Sequence, residues 1–157
     1  MDLCILILVT IYPQLQNAQV REFRRAQAVC EQVYNAAIDS PVDPLLALAV
    51  AAEETRFKPR TSNKGAQGPL QVMPGYWCPK DEKGKGKLKP KCDHIDAGLR
   101  ALHHFVDTRP SVRRALEGYA GKGRDARAYA ERVLLRYKSL VAMAIALEGD
   151  ETEGEGP

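Results

Sequence analysis

Glu53 and Glu54 are the first residues of a stretch reading EETRFKPRTSNKGAQGPLQVMP, and they are the side chains in it best suited to proton transfer. They follow LLALAVAA, a run with no polar face, and run at once into a polar, glycine-punctuated segment. A carboxylic acid at neutral pH is normally ionised and cannot donate a proton. Burial against apolar walls raises its pKa by disfavouring the anion, and the C-terminal end of a helix dipole acts in the same direction. Glu54 stands where both effects apply. Glu53 points about 100° away around a helix of 3.6 residues per turn and reads as solvated or ion-paired. The bland alternative makes Glu54 a helix-terminal surface acid as well.

The spacing after Glu54 decides between these readings. Counting from it, Phe57, Ser62, Gly65, Gly68 and Gln71 lie 3, 8, 11, 14 and 17 residues on. Gly65 and Gly68 let the backbone turn sharply and come close to a ligand. Gln71 offers both a donor and an acceptor. Taken singly, each has an ordinary structural explanation. Together, Glu54-Thr55 followed by SNKGAQGPLQ resembles the catalytic half of the soluble lytic transglycosylase family, whose lysozyme-like fold is shared with goose-type lysozymes. Further on, HIDAGLRAL resembles that family's third motif through Ile95, Gly98 and Leu102. EGYAGKG is similar to its Tyr-Asn-x-Gly motif through Tyr119 and Gly121. The resemblance covers residues 26–140, with four motifs in the family's order.

The resemblance implies a mostly α, lysozyme-like (α+β) single domain with a loop-rich middle. It implies cleavage of the β-1,4 bond between N-acetylmuramic acid and N-acetylglucosamine in peptidoglycan. Glu54 would be the one catalytic residue, first an acid on the leaving oxygen and then a base on the C6 hydroxyl of the muramyl residue. Ser62, Gly68, Gln71, Met73, Tyr119 and Tyr137 would contact substrate. No metal or other cofactor would be required. Three positions depart from the pattern: Thr55 keeps a hydroxyl in place of serine, Pro69 replaces leucine and removes an amide donor, and Ala120 replaces the asparagine. Many glycosidases carry a second carboxylate. Asp81, Glu82, Asp93 and Asp96 are the nearby candidates, none in a recognisable second-acid motif. His103 and His104 read as structural residues of a helix face.

The elements that must position these groups are helical. REFRRAQAVCEQVYNAAI places Phe23, Ala26, Val29 (or Cys30), Val33 and Ala37 near one face. The Pro41 and Pro44 region ends that helix, because each proline disfavours helical geometry in the residue before it. Asp43 is placed to cap the next helix, with Pro44 at its first position. PLLALAVAAEETR is apolar nearly all round, as expected of a central helix. Residues 58–92 read as loop, with a short hairpin and a helical turn near Leu70 to Pro74. Helices follow from Asp96 to Val106, over VRRALEGYA after Ser111, and from Asp125 onward as the longest run. The division expected is 1–20 an apolar N-terminal segment, 21–147 the lysozyme-like domain, and 148–157 an acidic, disordered tail.

The 157 residues make one domain's worth of chain with a formal net charge of +3. The tail from Glu148 holds five of the 20 acids and none of the 23 lysines and arginines, so residues 1–147 carry +8. Such a body favours anionic partners, among them nucleic acid, anionic lipid and bacterial wall polymers. KDEKGKGKLKPK (80–91) adds lysines but lacks the interleaved aromatics of a single-strand binder. The cysteines Cys4, Cys30, Cys78 and Cys92 lack paired CxxC spacing, which argues against structural zinc, although Cys92-Asp93-His94 leaves it open. The other readings are a Cys78–Cys92 bridge, contributing about 3 kcal/mol by loop closure, a Cys4–Cys30 bridge, or four reduced thiols. MDLCILILVTIY is too short to span a bilayer and lacks the positive start of a signal peptide, although LQNA before Gln19 would pass as a cleavage site. It reads as packed on the domain.

These readings sum to a monomeric enzyme whose partner is the peptidoglycan glycan strand, without nucleic acid or stable membrane insertion. It would act in the bacterial wall or periplasm, by export or phage delivery. The rivals are a goose-type lysozyme hydrolysing the same bond, and a non-catalytic protein that grips glycan or nucleic acid.

Overall fold

The structure, a computed structural model, describes residues 3–11, 20–58, 60–80, 91–121 and 123–152. It is mostly helical. Among the described residues seven helices succeed one another: α1 (Leu3–Ile11), α2 (Val20–Ile38), α3 (Pro44–Thr55), the single turn α4 (Pro74–Trp77), α5 (His94–Thr108), α6 (Val112–Ala120) and α7 (Arg124–Thr152). Extended pairing among the described residues consists of two isolated antiparallel bridges, Thr61 with Gln67 and Gln67 with Val72.

Helix α3 is the axis of the molecule. Its N-terminus is set as the sequence requires: Asp43 Oδ1 accepts from the N–H groups of Leu45 and Leu46 at 2.8 and 3.2 Å, and Pro44 follows it. Two amides that lack helical partners are thereby satisfied, a cap worth ~1 kcal/mol. Every residue from Leu46 to Ala52 is buried. The helix is enclosed by α2 and α7, which pack on it directly. The small side chains of ALAVAA let both neighbours approach closely, which an apolar but bulkier helix would prevent.

Helix α2 buries Ala26, Val29, Cys30, Val33 and Ala37, the stripe that its three- and four-residue spacing calls for. Helix α1 joins the same core through Cys4, Ile7 and Leu8 and is tied to α2 by the Cys4–Cys30 disulfide. The apolar start of the chain is therefore packed on the domain. No helix among the described residues is long and apolar enough to cross a membrane. The candidate cleavage site before Gln19 lies outside the described residues.

Several boundaries differ from the sequence reading, and the helical turn expected near Leu70 to Pro74 lies at Pro74–Trp77. Helix α5 starts at His94, not Asp96, because Asp93 caps it by accepting from Ile95 and Asp96 N–H at 2.9 and 3.2 Å. Helix α7 continues past residue 147 to Thr152, so Glu148 to Thr152 are helical where a disordered tail is expected. AMAIALEGDET offers no proline to stop a helix, and one glycine costs only ~1 kcal/mol. Residues 153–157 lie outside the described residues.

Candidate active site around Glu54

Glu54 occupies the last turn of α3, and the chain leaves that helix abruptly. Arg56 and Phe57 both adopt left-handed backbone angles, with φ of 53° and 57°. Such angles are strained for side chains other than glycine. Here they are held by a hydrogen bond from Arg56 N–H to the Ala52 carbonyl and by complete burial of the Phe57 ring. The reversal throws the next segment back across the end of α3, so that Arg60 Nη2 donates to the Glu54 carbonyl at 2.9 Å.

The two adjacent glutamates meet opposite environments. Glu53 is gripped by two guanidinium groups of α7, Arg132 and Arg136. Partial burial pushes its carboxyl up, but those two arginines outweigh it and hold the pKa below the ordinary range. Glu54 is half-buried, and burial is the main cause holding its pKa above the ordinary range. The negative charge of Glu53 adds to that rise. A hydrogen bond from Tyr129 Oη to Glu54 Oε1, 2.8 Å long, and the charge of Arg60 oppose it. Glu53 is thus shifted toward its anion, and its neighbour toward the proton-bearing form, relative to a free carboxyl.

The loop after α3 is built around the expected positions, although their side chains chiefly brace one another. Ser62 Oγ accepts from Ala66 N–H at 3.0 Å, and its own backbone N–H donates to the Ala66 carbonyl at 2.8 Å. Gln67 and Val72 exchange both backbone hydrogen bonds, closing a tight turn over Gly68 to Gln71. Gly68 has φ of +77°, and a Cβ there would lie 2.7 Å from His94 Cβ, so a side chain at this position would collide with α5. Gln71 Nε2 donates to the carbonyls of Arg60 and Gly68, both at 2.9 Å. Met73 is exposed. Thr55 Oγ1 lies 3.0 Å from the Pro69 carbonyl and 3.2 Å from that of Ala51, so its single hydrogen ties the loop to α3. The hydroxyl kept by Thr55 has a structural use, and Pro69 contributes through its carbonyl.

Helices α5 and α6 back this loop. Gly98 lets Leu70 press onto α5, since a Cβ there would fall 2.6 Å from Leu70 Cβ. Tyr119 Oη donates to the Leu70 carbonyl at 2.6 Å instead of reaching Glu54. Burial first, and the charge of Glu54 second, hold the Tyr119 phenol in its neutral form. Ala120 is exposed at the end of α6. The fold therefore brings Glu54, Tyr119 and the 62–73 loop to one end of α3.

Tyr137 is not brought there. Its hydroxyl donates to Asp43 Oδ2 at 2.7 Å, at the opposite end of α3, about 16 Å away at 1.5 Å per residue. That hydrogen bond, helped by burial, pushes its pKa up to about 12. The place at Glu54 belongs to Tyr129, which burial and the charge of Glu54 keep protonated. The reason is direction: α7 runs antiparallel to α3, so its N-terminal turns meet the C-terminal end of α3. Tyr129, Val133, Arg136 and Leu140 follow steps of four, three and four and form the inward stripe of α7. That periodicity is the signal in the sequence that would have selected Tyr129 and Arg136.

The possible second acids are otherwise engaged or undescribed. Asp93 caps α5, Asp96 pairs with Arg100, and Asp81 and Glu82 lie outside the described residues. His104 packs its ring on Trp77 and Phe105, each at 5.4 Å between centroids. His103 lines a small pocket of about 210 Å³ with Tyr137. A cavity of about 820 Å³ does not include Glu54. It lies along α6 and is lined by Phe105, Arg109, Arg114, Glu117, Gly121 and Arg127 among others. The chain matches no family model, no curated protein and no solved structure.

Proposed function

We propose that this chain cleaves the β-1,4 glycosidic bond between N-acetylmuramic acid and N-acetylglucosamine in bacterial peptidoglycan, as a lytic transglycosylase on a lysozyme-like (α+β) domain. The observation that carries the reading is Glu54: half-buried at the end of the central helix, raised in pKa and oriented by Tyr129. A proton-bearing carboxyl can protonate the poorly basic leaving oxygen, and the carboxylate so formed can take the proton of the C6 hydroxyl. The substrate's own acetamido group stabilises the positive charge between the two steps. Tyr129 holds one carboxyl oxygen, which leaves the other to face substrate. The positions shared with the transglycosylase motifs support the substrate class, and the basic body suits an anionic wall. The site of action is then the bacterial wall or periplasm.

Hydrolysis of the same bond is the second reading, and Ala120 favours it, because a small exposed residue in place of asparagine leaves room for water. Zymography on purified murein tests the activity. Mass spectrometry of the digest then separates the readings. Transglycosylation gives 1,6-anhydro-muramyl ends, one water lighter and resistant to borohydride, whereas hydrolysis gives reducible ends. The anhydro product is expected. An inverting hydrolase needs a base ~6.5–9.5 Å from the acid, and the described acids near the loop are committed to a helix cap and an ion pair. The C6 hydroxyl needs only Glu54 and is already positioned within the substrate.

A further inference from the structure

The chemistry at Glu54 leaves one cluster unused. The fold brings Cys92-Asp93-His94 against Cys78, and one ligand atom each from Cys78, Cys92 and His94 lies within 4.8 Å of the other two. Cys78 and Cys92 are joined as a disulfide, with Cα atoms 5.6 Å apart. We propose that the same junction is a zinc site when the chain is reduced, with Cys78 Sγ, Cys92 Sγ and a ring nitrogen of His94 as ligands. Disulfide and metal are then alternative clamps, selected by the redox state of the surroundings.

The geometry suits the ion. Zinc takes thiolate at ~2.3 Å and imidazole at ~2.0–2.1 Å in tetrahedral array, which places ligand atoms roughly 3.4–3.8 Å apart. Sulfurs released from the disulfide need to separate by a rotation of their side chains, within the span the cluster already covers. Two of the three ligands rise from an anchored backbone. Cys78 is buried and ends α4, its N–H bonded to the Pro74 carbonyl at 3.0 Å. His94 is the first residue of α5, whose start is fixed by the Asp93 cap. Gly68 leaves the space that His94 fills. Cys92 and His94 are partly exposed, so an ion can enter, and the fourth position is left to water. Two thiolates with an imidazole form a donor set that favours Zn²⁺ over the hard divalent cations.

The change of state balances with a dithiol as co-reactant. The dithiol gives two electrons and two protons to the Cys78–Cys92 bond and becomes a disulfide itself. Zn²⁺ then displaces both thiol protons into solvent, while a His94 ring nitrogen supplies a lone pair. Nothing in this proposal depends on what Glu54 does.

Co²⁺ is the probe, because thiolate-to-cobalt charge transfer reports ligation directly. The full chain is reduced with a dithiol, freed of it anaerobically and titrated with Co²⁺, with circular dichroism on the same samples. One Co²⁺ per chain, displaced by Zn²⁺, is expected for the reduced chain and none for the oxidised one. His94→Ala should weaken binding at least tenfold. Cys4→Ser/Cys30→Ser should leave it intact, and the melting temperature of the reduced chain should rise with Zn²⁺. The idea is overturned if the reduced chain binds Co²⁺ no better than a Cys78→Ser/Cys92→Ser variant, if the oxidised chain binds as tightly, or if His94→Ala binds like the wild type.

Discussion

Glu53 and Glu54 are adjacent, yet substitution of each to glutamine should have opposite consequences. Glu54→Gln keeps shape and the hydrogen bond from Tyr129 but removes the titrating proton. Lysis of murein should fall ~10²–10⁴-fold, the usual range for general acid–base groups. The fold should gain stability at neutral pH. Because the folded-state pKa of Glu54 is raised, the folded chain binds a proton more tightly than the unfolded one. Stability is therefore lost as pH rises from the unfolded pKa through the folded one, and glutamine avoids that loss. The gain in melting temperature should vanish at low pH, where both states are protonated. Glu53 carries the opposite sign, since its pKa is lowered. Its contribution is present above the unfolded pKa and lost as pH falls through the folded one. Glu53→Gln should cost about 1.5–3 kcal/mol, the range for hydrogen bonds to charged groups, and should spare most activity. Thermal melts against pH together with lysis assays check all four outcomes. An inactive Glu53→Gln beside an active Glu54→Gln would show that the wrong carboxyl has been assigned.

At the scale of elements, α7 decides which tyrosine serves the site. Tyr129→Phe removes a donor that stabilises the Glu54 anion, so the Glu54 pKa should climb further. The alkaline limb of the activity profile should move to higher pH. Tyr137→Phe should leave that limb in place and cost about 1 kcal/mol at the far end of α3, where only its bond to Asp43 is lost. A pH profile of each variant distinguishes the roles, and a shift with Tyr137→Phe alone would refute the arrangement. The same helix shows what the sequence could yield. Asp43-Pro44 and the periodicity of α2 are local signals, and they set their elements as read. The positions of Glu53 and Glu54 at a helix end were likewise legible. Which face of α7 turns inward, and which end of α3 it meets, is settled by packing across 75 residues of separation. No local pattern around Tyr137 holds that information. Ser62 and Gln71 mark the loop correctly, but their hydrogen bonds go to its own backbone, a division of labour that spacing does not reveal.

Over the whole molecule the decisive quantity is charge. Residues 1–147 carry +8, and the compensating acids follow in the sequence from Glu148 onward. A body of that net charge would be drawn toward an anionic wall polymer. Three arginines, Arg109, Arg114 and Arg127, line the 820 Å³ groove along α6, and of these Arg114 is paired, with Glu117. Glu54 lies outside that groove, so its charge would act on approach and residence at the wall rather than on bond cleavage. Attraction of this kind is screened over ~10 Å at 0.1 M salt and ~3 Å at 1 M. Lysis of whole cells should accordingly decline steeply with added salt, while cleavage of short soluble glycan fragments should change little. Arg109→Gln/Arg127→Gln should lower lysis at low salt and flatten its salt dependence, with activity on short fragments preserved. Turbidity clearing measured beside fragment cleavage across a salt series tests this. Equal decline on both substrates would move the salt effect to the site itself. An unchanged clearing rate would remove the basic body from the account.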